Sequence, residues 1–181
     1  MSITIKPIKS KEEIDHSIKE FKKQLLIEKS PPIVDRSNGW SPYKIIDFYK
    51  GLKIKMGHYK NSLNKEWFAS SNYIELEFDD LIQNNISFYI NGNSKVANQL
   101  KISLNVNNMD NSSRDIEKLI MYAERLTKFS TGLNLDEVFK KKLKLKSNYL
   151  HNNDIYLFKV FKDNHLSGNG YNLTYSIEII N

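Results

Sequence analysis

The spacing of apolar residues changes along the chain, and this change predicts where helices give way to strands. Near the N-terminus apolar residues recur every three or four positions, as on one face of a helix. A Ser-x-x-Glu capping box opens this segment and a Pro-Pro pair closes it, so a helix is predicted over about residues 10–28. A second, shorter apolar stripe between Pro42 and Gly51 predicts another helix, with Ser41 as its N-cap.

From residue 73 the apolar period changes to two, which is typical of strands with one buried and one solvated face. Three such segments follow one another, over residues 74–78, 86–90 and 100–106, and the short connections between them predict an antiparallel meander. Asn91-Gly92 is the predicted hairpin turn, because both residues tolerate positive φ. Residues 53–72 show no clear period and are left without an assignment.

Two more helices and two more strands complete the pattern. A long apolar stripe over residues 116–129 ends near Gly132, and a capping sequence at residues 134–137 opens a shorter, lysine-rich helix. Alternating or continuous apolar residues predict strands over 155–161 and 171–179. The predicted fold class is therefore α+β, with a mostly antiparallel five-stranded sheet, helices packed on one face, and the order α-α-β-β-β-α-α-β-β.

The length of 181 residues fits a single domain over 1–181. We divide it into a basic, helical N-terminal part (1–72) and a sheet-and-helix core (73–181). The chain contains no cysteine, which excludes disulfides, thiolate metal sites and cysteine nucleophiles. It shows neither a secretory signal nor the ~20 consecutive apolar residues of a membrane span, so we expect a cytoplasmic protein.

Charge is distributed unevenly. The net charge is +6, and it arises entirely in residues 1–72, which carry 14 Lys and Arg against 8 Asp and Glu. Residues 44–65 contain six lysines and one carboxylate, whereas residues 66–94 contain five carboxylates and neither Lys nor Arg. Charged surfaces are therefore the first candidates for a binding function.

No motif predicts a catalytic, cofactor or metal site. His151, Asp154 and His165 flank a predicted strand and could converge, but a polar loop at the sheet edge is the favoured interpretation, because metal ligands are normally spaced more tightly. Asp79-Asp80 follows another predicted strand, where a solvated strand end is favoured over an acid–base pair. We predict a protein that is not an enzyme and has no cofactor or metal, and leave a spatially assembled active site as the third alternative.

Nucleic-acid binding is the second alternative, because the basic stretch interleaves lysines with aromatic residues. Lysines can neutralise phosphates while aromatic rings stack on bases. Against this, the stretch contains no arginine and matches no nucleic-acid-binding fingerprint. The candidate residues are Lys44, Lys50, Lys53, Lys55, Tyr59 and Lys60.

Protein recognition is the leading interpretation, and it centres on a compact group of carboxylates. Glu75, Glu77, Asp79 and Asp80 lie within six consecutive positions, and the first two project from the same solvated face of a predicted strand. Such a patch can complement a cationic groove on a partner protein. The competing interpretation is that it pairs internally with the basic stretch at residues 44–65.

This combination of features resembles the immunity proteins of bacterial polymorphic toxin systems, of the contact-dependent inhibition or type VI secretion kind. The features are a small cysteine-free α+β chain with a capped N-terminal helix, a meander, a helix pair and a closing hairpin. The resemblance covers the general character of most of the chain and rests on no specific motif. It implies an antitoxin that binds and occludes a cognate protein toxin, without implying functional residues or an oligomeric state. The basic pI near 9.2 departs from the acidic character of many nuclease inhibitors in such families.

Overall fold

The computed structural model describes residues 39–62, 66–76 and 83–180. The helix predicted over residues 10–28 and the second half of the strand predicted over 74–78 lie outside these ranges. The described residues form three helices and eight strands. In chain order they are α1 (Pro42–Gly51), β1 (Lys60–Asn61), β2 (Trp67–Ser70), β3 (Ile74–Glu75), β4 (Asn85–Gly92), β5 (Ala97–Val106), α2 (Ser112–Thr131), α3 (Glu137–Lys144), β6 (Tyr149–Asn152), β7 (Tyr156–Asn164) and β8 (Tyr171–Ile179).

All eight strands belong to one antiparallel sheet with the order β1-β2-β4-β5-β8-β7-β6. The two-residue strand β3 also pairs with β4, next to Asn85 and Ile86, so β2 and β3 lie in line along the same edge of β4. The long strands β4, β5, β8 and β7 form the centre. The join between β5 and β8 connects segments that are far apart in sequence.

One face of the sheet carries the apolar core, and the three helices cover it. Along β4 and β5 alternate residues are fully buried, as the period of two predicts. The ring of Phe48 on α1 stacks on Phe129 of α2 at 4.1 Å, and Tyr49 contacts Phe88 of β4 at 5.1 Å, so α1 packs against both the sheet and α2. Phe139 anchors α3 over β7 and β8.

Local sequence explains where the helices begin and end. Pro42 occupies the first turn of α1, where a missing N–H costs no helical hydrogen bond. Gly132 ends α2 in a left-handed conformation with φ 76°, which glycine adopts without steric penalty. Asp136 caps α3 by accepting a hydrogen bond from the backbone N–H of Val138 at 2.7 Å.

The predicted fold class is confirmed, since the described chain is α+β with an antiparallel sheet, but the count of five strands is wrong. Strands β1, β2 and β6 were not predicted, because segments of two to four residues are too short to show a period. Two of them fall in residues 53–72, so the sheet begins before residue 73. The element order accordingly differs from the predicted one.

The predicted turn at Asn91-Gly92 is also wrong. Both residues belong to β4, and the reversal occurs at residues 93–96, where the backbone N–H of Asn93 donates to the carbonyl oxygen of Val96 at 2.9 Å. The Asn93 side chain accepts hydrogen bonds from the backbone N–H groups of Lys95 and Val96, which stabilises the turn.

Among the three helices that the structure describes, none is both long enough and apolar enough to cross a membrane.

Candidate interaction surfaces

The acidic patch is described only in part, at the edge strand β3. Glu75 is exposed and pairs with Asn85 of β4, whereas Glu77, Asp79 and Asp80 lie outside the described residues. Ile74 and Leu76 pack against the core, so the residues that alternate with them face outward. Tyr73, two positions before Glu75, has 70% of its side chain exposed. This edge therefore presents an aromatic ring beside a carboxylate.

The lysines of the basic stretch are exposed and form no ion pair within the described part of the chain. This holds for Lys44, Lys50, Lys53, Lys55 and Lys60, and equally for Glu75. Among residues 39–62, 66–76 and 83–180, no ion pair joins the acidic stretch to the basic stretch. The lysines and Glu75 are accessible to external partners.

The aromatic residues of the same stretch are mostly buried. Phe48 and Tyr49 belong to the core, and only Tyr43 is largely exposed. The Tyr59 hydroxyl donates to the carbonyl oxygens of Asn93 and Val96, at 2.9 and 3.2 Å, and burial raises the pKa of Tyr59 to about 12. Tyr59 therefore supports the turn between β4 and β5, and its ring is not available to stack on a base.

The histidine candidates do not converge. Asp154 lies in the turn between β6 and β7, whereas His165 follows the far end of β7. Nine residues of extended strand separate them, which corresponds to roughly 30 Å. His151, on β6, packs its ring near Phe139. The structure thus places the two imidazoles far apart, because His151 lies opposite Phe158, the third residue of β7, and His165 follows the last residue of β7.

A buried polar cluster that was not predicted joins the ends of β4 and β5 to α2. Asn84 is fully buried, and its side-chain oxygen accepts hydrogen bonds from the backbone N–H groups of Asn107 and Asn108, at 2.8 and 2.7 Å. Its amide nitrogen donates to the Asn108 carbonyl and to Oδ2 of Asp115, both at 2.8 Å. All four hydrogen-bonding positions of this amide are used, so Asn84 connects the loop after β5 to α2 and has a structural role.

Asp115 is a fully buried carboxylate, and neighbouring cations compensate its charge. Lys118 Nζ lies 3.6 Å and Arg114 Nε 4.0 Å from Oδ1. The Lys118 ammonium also donates to the carbonyl oxygen of Leu76 at 3.0 Å, which ties this cluster to the end of β3. The sequence did contain a signal, because Asp115 is four positions before Leu119 and so lies on the apolar face of its helix.

The second face of the sheet is polar, and no helix of the described chain packs on it. A hydrogen-bonded chain crosses four strands: Asn91 donates to Gln99 at 2.6 Å, Gln99 donates to Glu178 at 2.8 Å, and Lys159 donates to Glu178 at 2.6 Å. Lys101 lies 4.4 Å from the centre of the Tyr89 ring. These hydrogen bonds make the centre of this face, across β4, β5, β8 and β7, a connected polar network.

Within the described ranges no group of three or more His, Asp or Glu side chains is placed to hold a metal ion. Comparison of the chain with family models, with curated proteins and with solved structures finds no match. Exposed charge and exposed aromatic or apolar side chains at the sheet edges are therefore the candidate binding features of the described chain.

Proposed function

We propose that this chain is an immunity-type protein that binds a cognate protein toxin in the cytosol and occludes it. The observation that carries the proposal is that exposed Tyr73 and exposed Glu75 lie two positions apart at the β3 edge. Tyrosine is enriched among residues that dominate protein–protein affinity, and a carboxylate beside it can fix the register on a cationic partner.

The β3 edge is suited to occlusion because it is attached to the centre of the sheet. Strand β3 pairs directly with β4, which is itself paired along its length with β5. In the sequence, Glu77, Asp79 and Asp80 follow within five positions of Glu75 and add three carboxylates. An interface of standard size, burying about 1,600 Å² in total, would cover this edge and adjacent loops. Inhibition would be steric, with electrostatic attraction accelerating encounter.

The test uses the C-terminal domain encoded by the gene adjacent to this one as the binding partner. Isothermal titration calorimetry should show 1:1 binding, and co-expression should protect cells from that domain. Tyr73→Ala should weaken binding by about 2 kcal/mol and Glu75→Lys should slow association. Absence of binding, with no protection of cells, would refute the proposal.

Matched controls separate recognition from folding. Tyr43→Ala removes an equally exposed tyrosine, at 69%, from α1, and Asp154→Lys reverses an exposed charge at the opposite side of the sheet. Both should leave affinity unchanged. The double variant Glu75→Lys/Glu77→Lys should keep the melting temperature of the natural chain. A large loss of melting temperature would show that the acidic patch is structural.

Single-stranded nucleic-acid binding is the second candidate, supported by the five exposed lysines between Lys44 and Lys60 that form no ion pair with described carboxylates. Without Tyr59 as a stacking surface, such binding would depend on phosphate contacts. A labelled oligonucleotide whose binding falls steeply between ~50 and ~200 mM salt would favour it. Recovery of nucleic acid alone from a native lysate would contradict the immunity proposal.

A further inference from the structure

The edge strand β6 lacks the features that normally protect a sheet edge. Natural edge strands are commonly protected by lysine, proline or a bulge. Strand β6 consists of Tyr149, Leu150, His151 and Asn152, with no charged residue and no proline. At the opposite side of the sheet, β1 has only two residues and begins with Lys60. Strand β6 is therefore the longer and less protected edge of the described sheet.

The backbone groups that point away from the sheet can be assigned from the hydrogen bonds around the β6–β7 hairpin. Asn153 donates its backbone N–H to Tyr156 at 3.0 Å, so these two form a hydrogen-bonded pair next to the turn. In an antiparallel ladder such pairs alternate with pairs that are not hydrogen-bonded. Since Asn152 and Leu150 are paired with Leu157 and Lys159, their backbone N–H and C=O groups face outward.

Exposed apolar side chains line both sides of this edge. On the polar face of the sheet Leu150 and Phe161 are 59% and 54% exposed, at diagonal positions of the β6–β7 pair. On the helical side, Val138 in α3 and Leu145, the residue after α3, are 42% and 61% exposed; they lie four positions before and three positions after Lys142, whose ammonium lies over the ring of Tyr149 in β6. We define these four residues with β6 as the β6 edge. These exposed apolar side chains flank the outward backbone donors and acceptors of β6, which bond to no strand of the described sheet.

The helical side of the β6 edge is also cationic. Lys142 lies on α3 with its ammonium 5.4 Å from the centre of the Tyr149 ring. Lys140 and Lys144 face the other way and pair with Glu124 and Glu117 on α2. Residues 138–153 contain five lysines and no Asp or Glu. Within the described chain Lys141 and Lys142 have no carboxylate partner, so positive charge on this side is uncompensated.

We propose that the β6 edge binds an extended acidic segment of a partner protein, which adds a strand to the sheet. Side chains alternate between the two faces of a strand. The bound segment would place carboxylates towards Lys142 and apolar side chains towards Leu150 and Phe161, so its sequence alternates acidic and apolar residues. Main-chain hydrogen bonds to Leu150 and Asn152 supply affinity, and the alternating side chains supply specificity. A second copy of this chain is a poor occupant, because it would bring lysines against lysines.

A ten-residue peptide that alternates glutamate and valine, blocked at both ends, is the probe. Fluorescence anisotropy should give a dissociation constant below about 1 mM. Hydrogen exchange of the Leu150 and Asn152 amides should slow by about tenfold when the peptide saturates the protein. The amides of Tyr149 and His151 already bond to β7 and should change less. A peptide alternating lysine and valine is the control and should not bind.

Three variants locate the site. Lys142→Glu should weaken peptide binding by about tenfold, whereas Lys50→Glu, the same change at an exposed lysine on α1, should have no effect. Asn152→Pro removes an outward N–H that bonds to no strand of the described sheet, and it should abolish added protection of Leu150. If that variant does not fold, the proposal is tested by the affinity of Lys142→Glu for the peptide and by the hydrogen-exchange pattern of the natural chain.

Several results would overturn the proposal. They are equal binding of the lysine–valine peptide, protection of amides elsewhere, or failure of the glutamate–valine peptide to bind at all. Concentration-dependent protection of Leu150 without peptide, together with a dimer in analytical ultracentrifugation, would assign the edge to a second copy. Tyr73→Ala and Glu75→Lys should leave peptide binding intact, so the two surfaces are tested independently.

Discussion

The most informative perturbation of this fold is Asn84→Leu, because it removes the centre of the buried polar cluster while keeping a similar side-chain volume. The substitution leaves the backbone N–H groups of Asn107 and Asn108 without their acceptor. It also removes the hydrogen bond to the buried carboxylate of Asp115. The bond from the Asn84 amide to the Asn108 carbonyl oxygen is lost as well, so the loss combines three neutral hydrogen bonds with one to a charged group.

The expected magnitude follows from these partners. A hydrogen bond to a charged group contributes about 1.5–3 kcal/mol, and each unsatisfied backbone N–H costs about 1–3 kcal/mol. The lower end applies to Asn107 and Asn108, since both are partly exposed and water can replace the acceptor. We expect the free energy of unfolding to fall by about 3–5 kcal/mol and the melting temperature by about 10 °C.

Urea denaturation followed by circular dichroism measures this loss of stability. A double-mutant cycle then shows how much of it comes from the hydrogen bond between Asn84 and Asp115. Asp115→Leu alone should cost a similar amount, because it removes the acceptor from a buried Asn84 amide. The double variant Asn84→Leu/Asp115→Leu should cost less than the sum, with a coupling free energy of about 1.5–3 kcal/mol. Asn98→Leu, at an exposed position of β5, is the matched control and should change stability by less than about 0.5 kcal/mol.

Two results would refute this reasoning. A loss below about 1 kcal/mol for Asn84→Leu would show that water replaces the amide at little cost. Strict additivity of the two single variants would show that the carboxylate of Asp115 is stabilised by Lys118 and Arg114 alone.

Three other outcomes are expected. Burial raises the pKa of Tyr59 to about 12 and also raises the pKa of Tyr49, Tyr171 and Tyr175. Because an unfolded tyrosine titrates near pH 10, this contribution to stability is complete below about pH 10 and is lost as the pH rises towards 12. Urea midpoints measured from pH 8 to 12 should fall only above pH 10, and a flat profile would contradict this. Gly92→Ala should lower stability by about 2–3 kcal/mol, because the added Cβ meets the Val96 carbonyl oxygen and lies 2.7 Å from Ala97 Cα. Thermal denaturation checks this, with exposed Ser94→Ala in the neighbouring turn as the control. Tyr175→Phe should cost about 1 kcal/mol by removing the 2.7 Å hydrogen bond between the Tyr175 and Thr127 hydroxyls, and an unchanged urea midpoint would show that this bond contributes nothing.

Long elements were predictable because each carries its own local signal. Helix α2 presents about four turns of apolar stripe over residues 116–129 and ends at a glycine, and β5 alternates buried and polar residues over residues 100–106. Strands β1, β2 and β6 carry no such signal, because segments of two to four residues are too short to show a period. The turn at residues 93–96 was misplaced because Asn91-Gly92 is a strong turn sequence locally, yet pairing with β5 continues through it.

Surfaces were less predictable than elements. Interleaved aromatic residues in the basic stretch indicated a stacking surface, but burial of Tyr49 and Tyr59 is set by packing against Phe88 and Trp67, which the sequence does not reveal. Exposure of Tyr73 and Leu150 likewise depends on where the sheet ends. Asn84 gave no signal, because several asparagines surround it and only the fold selects the one that is enclosed.

The ladder between β5 and β8 has a kinetic consequence. The β4–β5 and β7–β8 hairpins are local and can form independently, but joining them requires closure of the loop over residues 107–170. Until that closure, β5 and β8 each expose an unpaired apolar edge to other molecules. Refolding is therefore expected to take milliseconds to seconds and to compete with aggregation at high protein concentration, which stopped-flow fluorescence of the two tryptophans can follow.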